Sequence, residues 1–138
     1  LYAVLSLGAE GAQMGTRFVA SEEASSHPNF KEMVIHAIEG DTQLSLKQLT
    51  PVRLLKNKFF TEVQAAEIRG ASQEELAHLL GKGRARKGMF EGDLEQGELE
   101  IGQVSALLDT ILPASVIVEN TWREFLEACA NPFDQKRD

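Results

Sequence analysis

The chain has 138 residues, 43% of them hydrophobic and 25% charged, enough for one modest domain with a real core. Its net charge of −7 excludes non-specific binding to nucleic acid or to an anionic membrane, both of which select basic surfaces. The single cysteine, Cys129, excludes an intrachain disulfide and a cysteine-rich zinc site, and with no export signal the cytoplasm is the expected compartment.

The chain opens at Leu1 inside an apolar segment too short to span a bilayer, Leu1 to Leu7, which reads as the tail of a helix closed by Gly8. A start of this kind predicts a C-terminal piece of a longer protein. Gly11 to Gly15 reads as a short buried strand, and Ser21 to Ser26 as a polar turn. Pro28 suits the first position of a helix reaching Ile38 and stopped by Gly40. Its stripe of Phe30, Met33, Val34, Ala37 and Ile38 faces inward, with Lys31, Glu32 and Glu39 outward. Thr42 to Leu46 alternates like a strand. Asn57 to Arg69 reads as a helix closed by Gly70, and Ser72 with Glu75 forms a capping box for the next, whose apolar side is Leu76, Leu79 and Leu80.

Six glycines interrupt the pattern from Gly81 to Gly102. A last helix runs from Ala114 to Ala130, with Val118, Trp122, Phe125, Leu126 and Cys129 on one face as expected core, and Pro132 and a charged tail ending it. One or two strands cannot bury both faces of a sheet, so partner strands are expected upstream.

The segment that carries chemistry is Gly8-Ala9-Glu10-Gly11-Ala12-Gln13-Met14-Gly15-Thr16. A glycine at a strand end lets backbone N–H groups approach an anion, and a neighbouring threonine hydroxyl adds a donor. That is a phosphate cradle of the kind found after barrel strands. The alternative is that Gly8 ends a helix and Gly15 permits a turn.

With Arg17-Phe18-Val19-Ala20-Ser21-Glu22-Glu23 and His27-Pro28-Asn29-Phe30-Lys31-Glu32, this segment resembles the last-strand motif of the nitronate monooxygenases, formerly 2-nitropropane dioxygenases. The FMN-dependent enoyl-acyl-carrier-protein reductase II belongs to the same family. Fainter similarity continues at Arg53-Leu54-Leu55-Lys56-Asn57 and Gly102-Gln103. Phosphate-binding barrels of the inosine-monophosphate dehydrogenase type share part of the pattern, but not the run from Arg17 to Pro28. Ala24 stands where family members often carry cysteine.

The resemblance implies an α/β fold: the C-terminal portion of a TIM-type (β/α)8 barrel, holding its last strand, with a mostly helical additional lobe. It divides the chain into a barrel end (1–26), a helical substrate-side lobe (27–112) and a C-terminal helix with its tail (113–138). It implies FMN as cofactor, held at Gln13, Met14, Gly15 and Thr16, with Gln103 and His27 on the substrate side and the catalytic base upstream of residue 1. The implied activity is oxidation of an alkyl nitronate by dioxygen. The alternatives are NAD(P)H-dependent reduction of an enoyl thioester, with an acyl-carrier protein as partner, and a non-catalytic phosphate-binding module.

The remaining candidates read as structural. His27 suits a helix cap, and His36 and His78 lie within helices without a metal-ligand set. Lys82, Arg84, Arg86 and Lys87 read as a solvated face, or alternatively as a surface for an acidic carrier protein or a phosphorylated cofactor. Trp122 and Phe125 read as core rather than a flavin stack, and Glu22 and Glu23 as an exposed turn rather than paired catalytic carboxylates.

Overall fold

The computed structural model describes residues 1–131; the predicted tail from Pro132 onward lies outside them. Helices α1 (Tyr2–Ser6), α2 (Thr16–Val19) and α3 (Pro28–Ile35) precede a hairpin of β1 (Thr42–Ser45) and β2 (Val52–Leu55). Then come α4 (Lys58–Ile68), α5 (Gln73–Leu80), α6 (Arg84–Met89), a 3-10 turn (Gln103–Leu107) and α7 (Ala114–Ala130). The two strands pair antiparallel with Leu44 opposite Arg53. No helix among the described residues is long and apolar enough to cross a membrane.

Strand β2 organises the interior, because successive side chains leave a strand on opposite faces. Leu54 joins Leu46, Phe59, Phe60, Val63, Ala66 and Leu76 in one cluster. Leu55 joins Ala20, Phe30, Val34, Leu99 and Ile101 in another. The chain from Leu99 to Ile101 runs along β2, with Leu55 N–H donating to the Leu99 carbonyl at 2.9 Å and Ile101 N–H to the Arg53 carbonyl at 3.0 Å. This return leg delivers Gly102 to the edge of the site.

Local capping accounts for most helix boundaries. The Ser72–Glu75 box is formed in both directions, at 3.2 and 2.8 Å. Asn57 Oδ1 accepts the Phe60 N–H at 2.8 Å to start α4. Helix α3 stops at Ile35 rather than Ile38. Ala37 N–H bonds back to Val34, and the Asp41 carboxylate takes the Ile38 N–H at 2.9 Å, folding those residues into a separate turn. Ile38 is left 68% exposed.

Four further expectations are corrected. Gly11 to Gly15 pairs with no strand among the described residues and is exposed apart from the half-buried Met14, so a sheet role there depends on partner strands outside them. Lys31 points inward: its Nζ donates to the Ser21 and Glu22 carbonyls at 2.6 and 3.0 Å, which lets a buried ammonium keep charge-assisted partners. On α7, Ile117 is the buried residue, while Val118, Trp122 and Leu126 are about half exposed. Their periodicity defines a half-exposed apolar face, where Val118 and Trp122 line a pocket with Leu1, Met14 and Phe18.

The fourth correction concerns the basic run. Arg84 is committed inside the molecule: it donates to the Leu79, Leu80 and Gln96 carbonyls at 3.1, 2.8 and 2.8 Å and stacks 4.4 Å over the Phe59 ring. Arg86 pairs with Glu91 at 3.1 Å and Lys87 with Asp93 at 2.9 Å.

Glu98 is buried, at 6% exposure. Burial, reinforced by the neighbouring Glu100 charge and opposed by Arg84, pushes its carboxyl up from 4.5 to about 6. Between these values the folded chain holds a proton that the unfolded chain has lost. The contribution of Glu98 to stability is therefore full below pH 4.5 and lost as pH rises through about 6, for at most about 2 kcal/mol. Glu98→Gln is expected to remove that decline. Equilibrium unfolding of both proteins across this range checks it; an identical pH slope would contradict it.

Candidate functional site

Around Thr16, residues distant in sequence converge. Gly15 is the N-cap of α2, and Thr16 is its first residue. The Gly102 N–H donates to Thr16 Oγ1 at 3.2 Å, across 86 residues of chain. A Cβ on Gly102 would lie 2.7 Å from that same oxygen, so glycine is required there for the two segments to meet. Because the hydroxyl accepts the backbone bond, its own proton is left to donate outward.

Gly15 has a different logic. Its φ of −96° is open to any L-residue, so the turn alone does not require glycine. A Cβ built there would meet nothing within 4 Å. Among the described residues, neither conformation nor packing explains the glycine. Gly8, by contrast, has φ +95° and fits the helix-ending role predicted for it.

Gly15, Thr16 and Gly102 line an open cleft of about 420 Å³ with Val19, Pro51, Val52, Arg53, Glu100 and Ile101. The floor is apolar, with one basic and one acidic residue on the lining. Arg53 and Glu100 carried only a faint signal or none in the sequence, because the cleft depends on the long-range pairing of β2 with the return leg.

The other predicted residues divide among different environments. Gln13 is exposed. Met14 is half-buried and lines a separate apolar pocket with Phe18, Val118, Thr121 and Trp122. Gln103 begins the 3-10 turn beside Gly102 and is exposed. His27 caps α3, its Nδ1 accepting the Asn29 N–H at 3.1 Å, and its ring packs where a Cβ on Gly92 would otherwise sit. The structure thus brings Gly15, Thr16 and the Gly102–Gln103 corner together, and places Met14 and His27 elsewhere. Among the described residues no cluster of His, Cys, Asp and Glu could hold a metal ion. A larger groove between α4 and α5, lined by Glu62, Arg69, Glu74 and His78, shares no residue with the Thr16 cleft.

Comparison with known proteins gives a consistent result. The family model described as nitronate monooxygenase matches residues 1–124. A probable nitronate monooxygenase of Bacillus subtilis (strain 168) is 30% identical over 102 residues, 73% of this chain and 29% of that protein. The structure of FabK from Thermotoga maritima superposes with a TM-score of 0.85 at 37% identity, covering 94% of this chain and 41% of that one. Nitroalkane oxidase from Streptomyces ansochromogenes gives 0.71 at 28% identity, covering 94% and 36%. The chain spans well under half the length of each of these relatives. It belongs to the nitronate monooxygenase family of oxidoreductases.

Proposed function

We propose that this chain forms the C-terminal part of an FMN-dependent oxidoreductase with a TIM-type barrel, and that Gly15 and Thr16 seat the phosphate of FMN. The observation that carries the reading is the pairing of a glycine that nothing among the described residues requires with a hydroxyl braced to donate outward. Open space above Gly15 suits close approach of an anionic group, and Thr16 offers it a hydrogen bond. The residues fit the group. When bound, FMN supplies the redox chemistry, while these residues anchor and orient it. Gln103, at the exposed start of the 3-10 turn, has amide donors available on the substrate side.

The reaction favoured is oxidation of alkyl nitronates, supported by the family match over residues 1–124. The superposition on FabK, at higher identity than the nitroalkane oxidase, supports a second reading: reduction of an enoyl thioester by a nicotinamide nucleotide. In that reading an acidic carrier protein docks on the exposed face of Lys82, Arg86 and Lys87, competing with Glu91 and Asp93 for the last two, while Arg84 is occupied internally. Oxygen uptake driven by nitronate without nicotinamide supports the first reading. NAD(P)H oxidation dependent on an enoyl thioester supports the second.

Thr16→Val is expected to weaken FMN binding in the complete enzyme by about 1–3 kcal/mol, the value of a hydrogen bond to a charged group. Flavin fluorescence titration measures it. An unchanged dissociation constant would remove Thr16 from the cradle.

A further inference from the structure

We propose that Arg53 supplies the positive charge for the anion seated at Gly15 and Thr16, and that Glu100 tunes the affinity by opposing it. This rests on the phosphate reading of the cleft. Arg53 is the basic residue lining that cleft and Glu100 the acidic one. Both positions are fixed by backbone: the Arg53 carbonyl accepts the Ile101 N–H at 3.0 Å, and Glu100 bridges to Leu54.

The arginine is also pre-positioned. Its Nη1 reaches diagonally across the hairpin to the Thr42 carbonyl and hydroxyl, both at 3.3 Å. Those bonds engage one amino group of a planar fork, and Nε and Nη2 retain donors for a phosphate. Arg53 is half-buried, so its charge is screened less than that of a fully exposed side chain. Thr16 then contributes a directional hydrogen bond, Gly15 the room, and Arg53 the charge.

The experiment compares FMN with riboflavin, which lacks the phosphate, by fluorescence titration of the complete enzyme. Arg53→Met is expected to raise the FMN dissociation constant roughly tenfold to a hundredfold, while leaving riboflavin binding unchanged. Arg53→Lys, which keeps the charge but loses the fork, should fall between wild type and Arg53→Met and covers the case in which the methionine variant does not fold. Glu100→Gln should tighten FMN and not riboflavin. A wild-type preference for FMN in both arginine variants, with Thr16→Val losing it, overturns the role of Arg53 and leaves the cradle standing. Retention of that preference in Thr16→Val and both arginine variants overturns both. Unchanged or weaker FMN binding in Glu100→Gln overturns the opposing role of Glu100.

Discussion

Gly97→Ala is expected to destabilise the chain by about 3 kcal/mol or more, the upper range for forced overpacking. A Cβ at Gly97 would lie 2.2 Å from the Gly88 Cα, 2.6 Å from its nitrogen and 2.4 Å from the Asp93 carbonyl oxygen. All three are backbone atoms, so no side chain can rotate away to relieve the clash. The reciprocal contact is nearly as tight: a Cβ on Gly88 would meet the Glu98 carbonyl oxygen at 2.9 Å and Leu99 Cδ2 at 2.7 Å. Helix α6 and the start of the return leg therefore pack backbone to backbone. Since Gly102 lies on the same leg, the displacement should reach the Thr16 cleft. Gly15→Ala is the control: its Cβ meets open space, so stability should stay within roughly 0.5 kcal/mol while FMN binding falls. Denaturant unfolding of the two variants tests the contrast, and equal stability would contradict the close packing.

The same glycines show where sequence reading reached its limit. Gly88 and Gly97 look like interruptions, because their partners are each other and no local pattern encodes that. The local starts were legible: Asn57 as the beginning of a helix, Ser72 with Glu75 as a capping box, and Pro28 at a first helical position each act within a few residues. Helices α4 and α5 accordingly begin where expected. Helix α6 and strand β2 went unread, since β2 is buried on both faces and lacks the alternation that marks a half-buried strand. Lys31 was placed outward because a helical wheel sorts residues by polarity; its ammonium instead reaches carbonyls ten and nine residues back. At the site, Thr16 and Gly102–Gln103 were both singled out in the sequence, yet their contact across 86 residues was not. Arg53 appeared only within a faint similarity, and Glu100 not at all.

Asn57 should be the most costly single side chain in the loop that supports this site. Its Oδ1 caps α4 by accepting the Phe60 N–H at 2.8 Å. Its Nδ2 donates to the Leu94 and Gly97 carbonyls at 2.9 and 2.8 Å, fixing the turn that Asp93 opens. One planar amide thus joins the start of a helix to the approach of two backbones at Gly97. Removing it costs the cap, about 1 kcal/mol, and leaves two carbonyls in a packed region without their donor, a penalty of about 1–3 kcal/mol. Asn57→Ala is expected to lose roughly 2–4 kcal/mol in all. Asn57→Asp separates the parts: it keeps the helix cap but turns the donor into an acceptor facing two carbonyls, so it should do no better than alanine. An aspartate variant as stable as wild type would show that the cap alone matters and that the 93–97 turn holds itself.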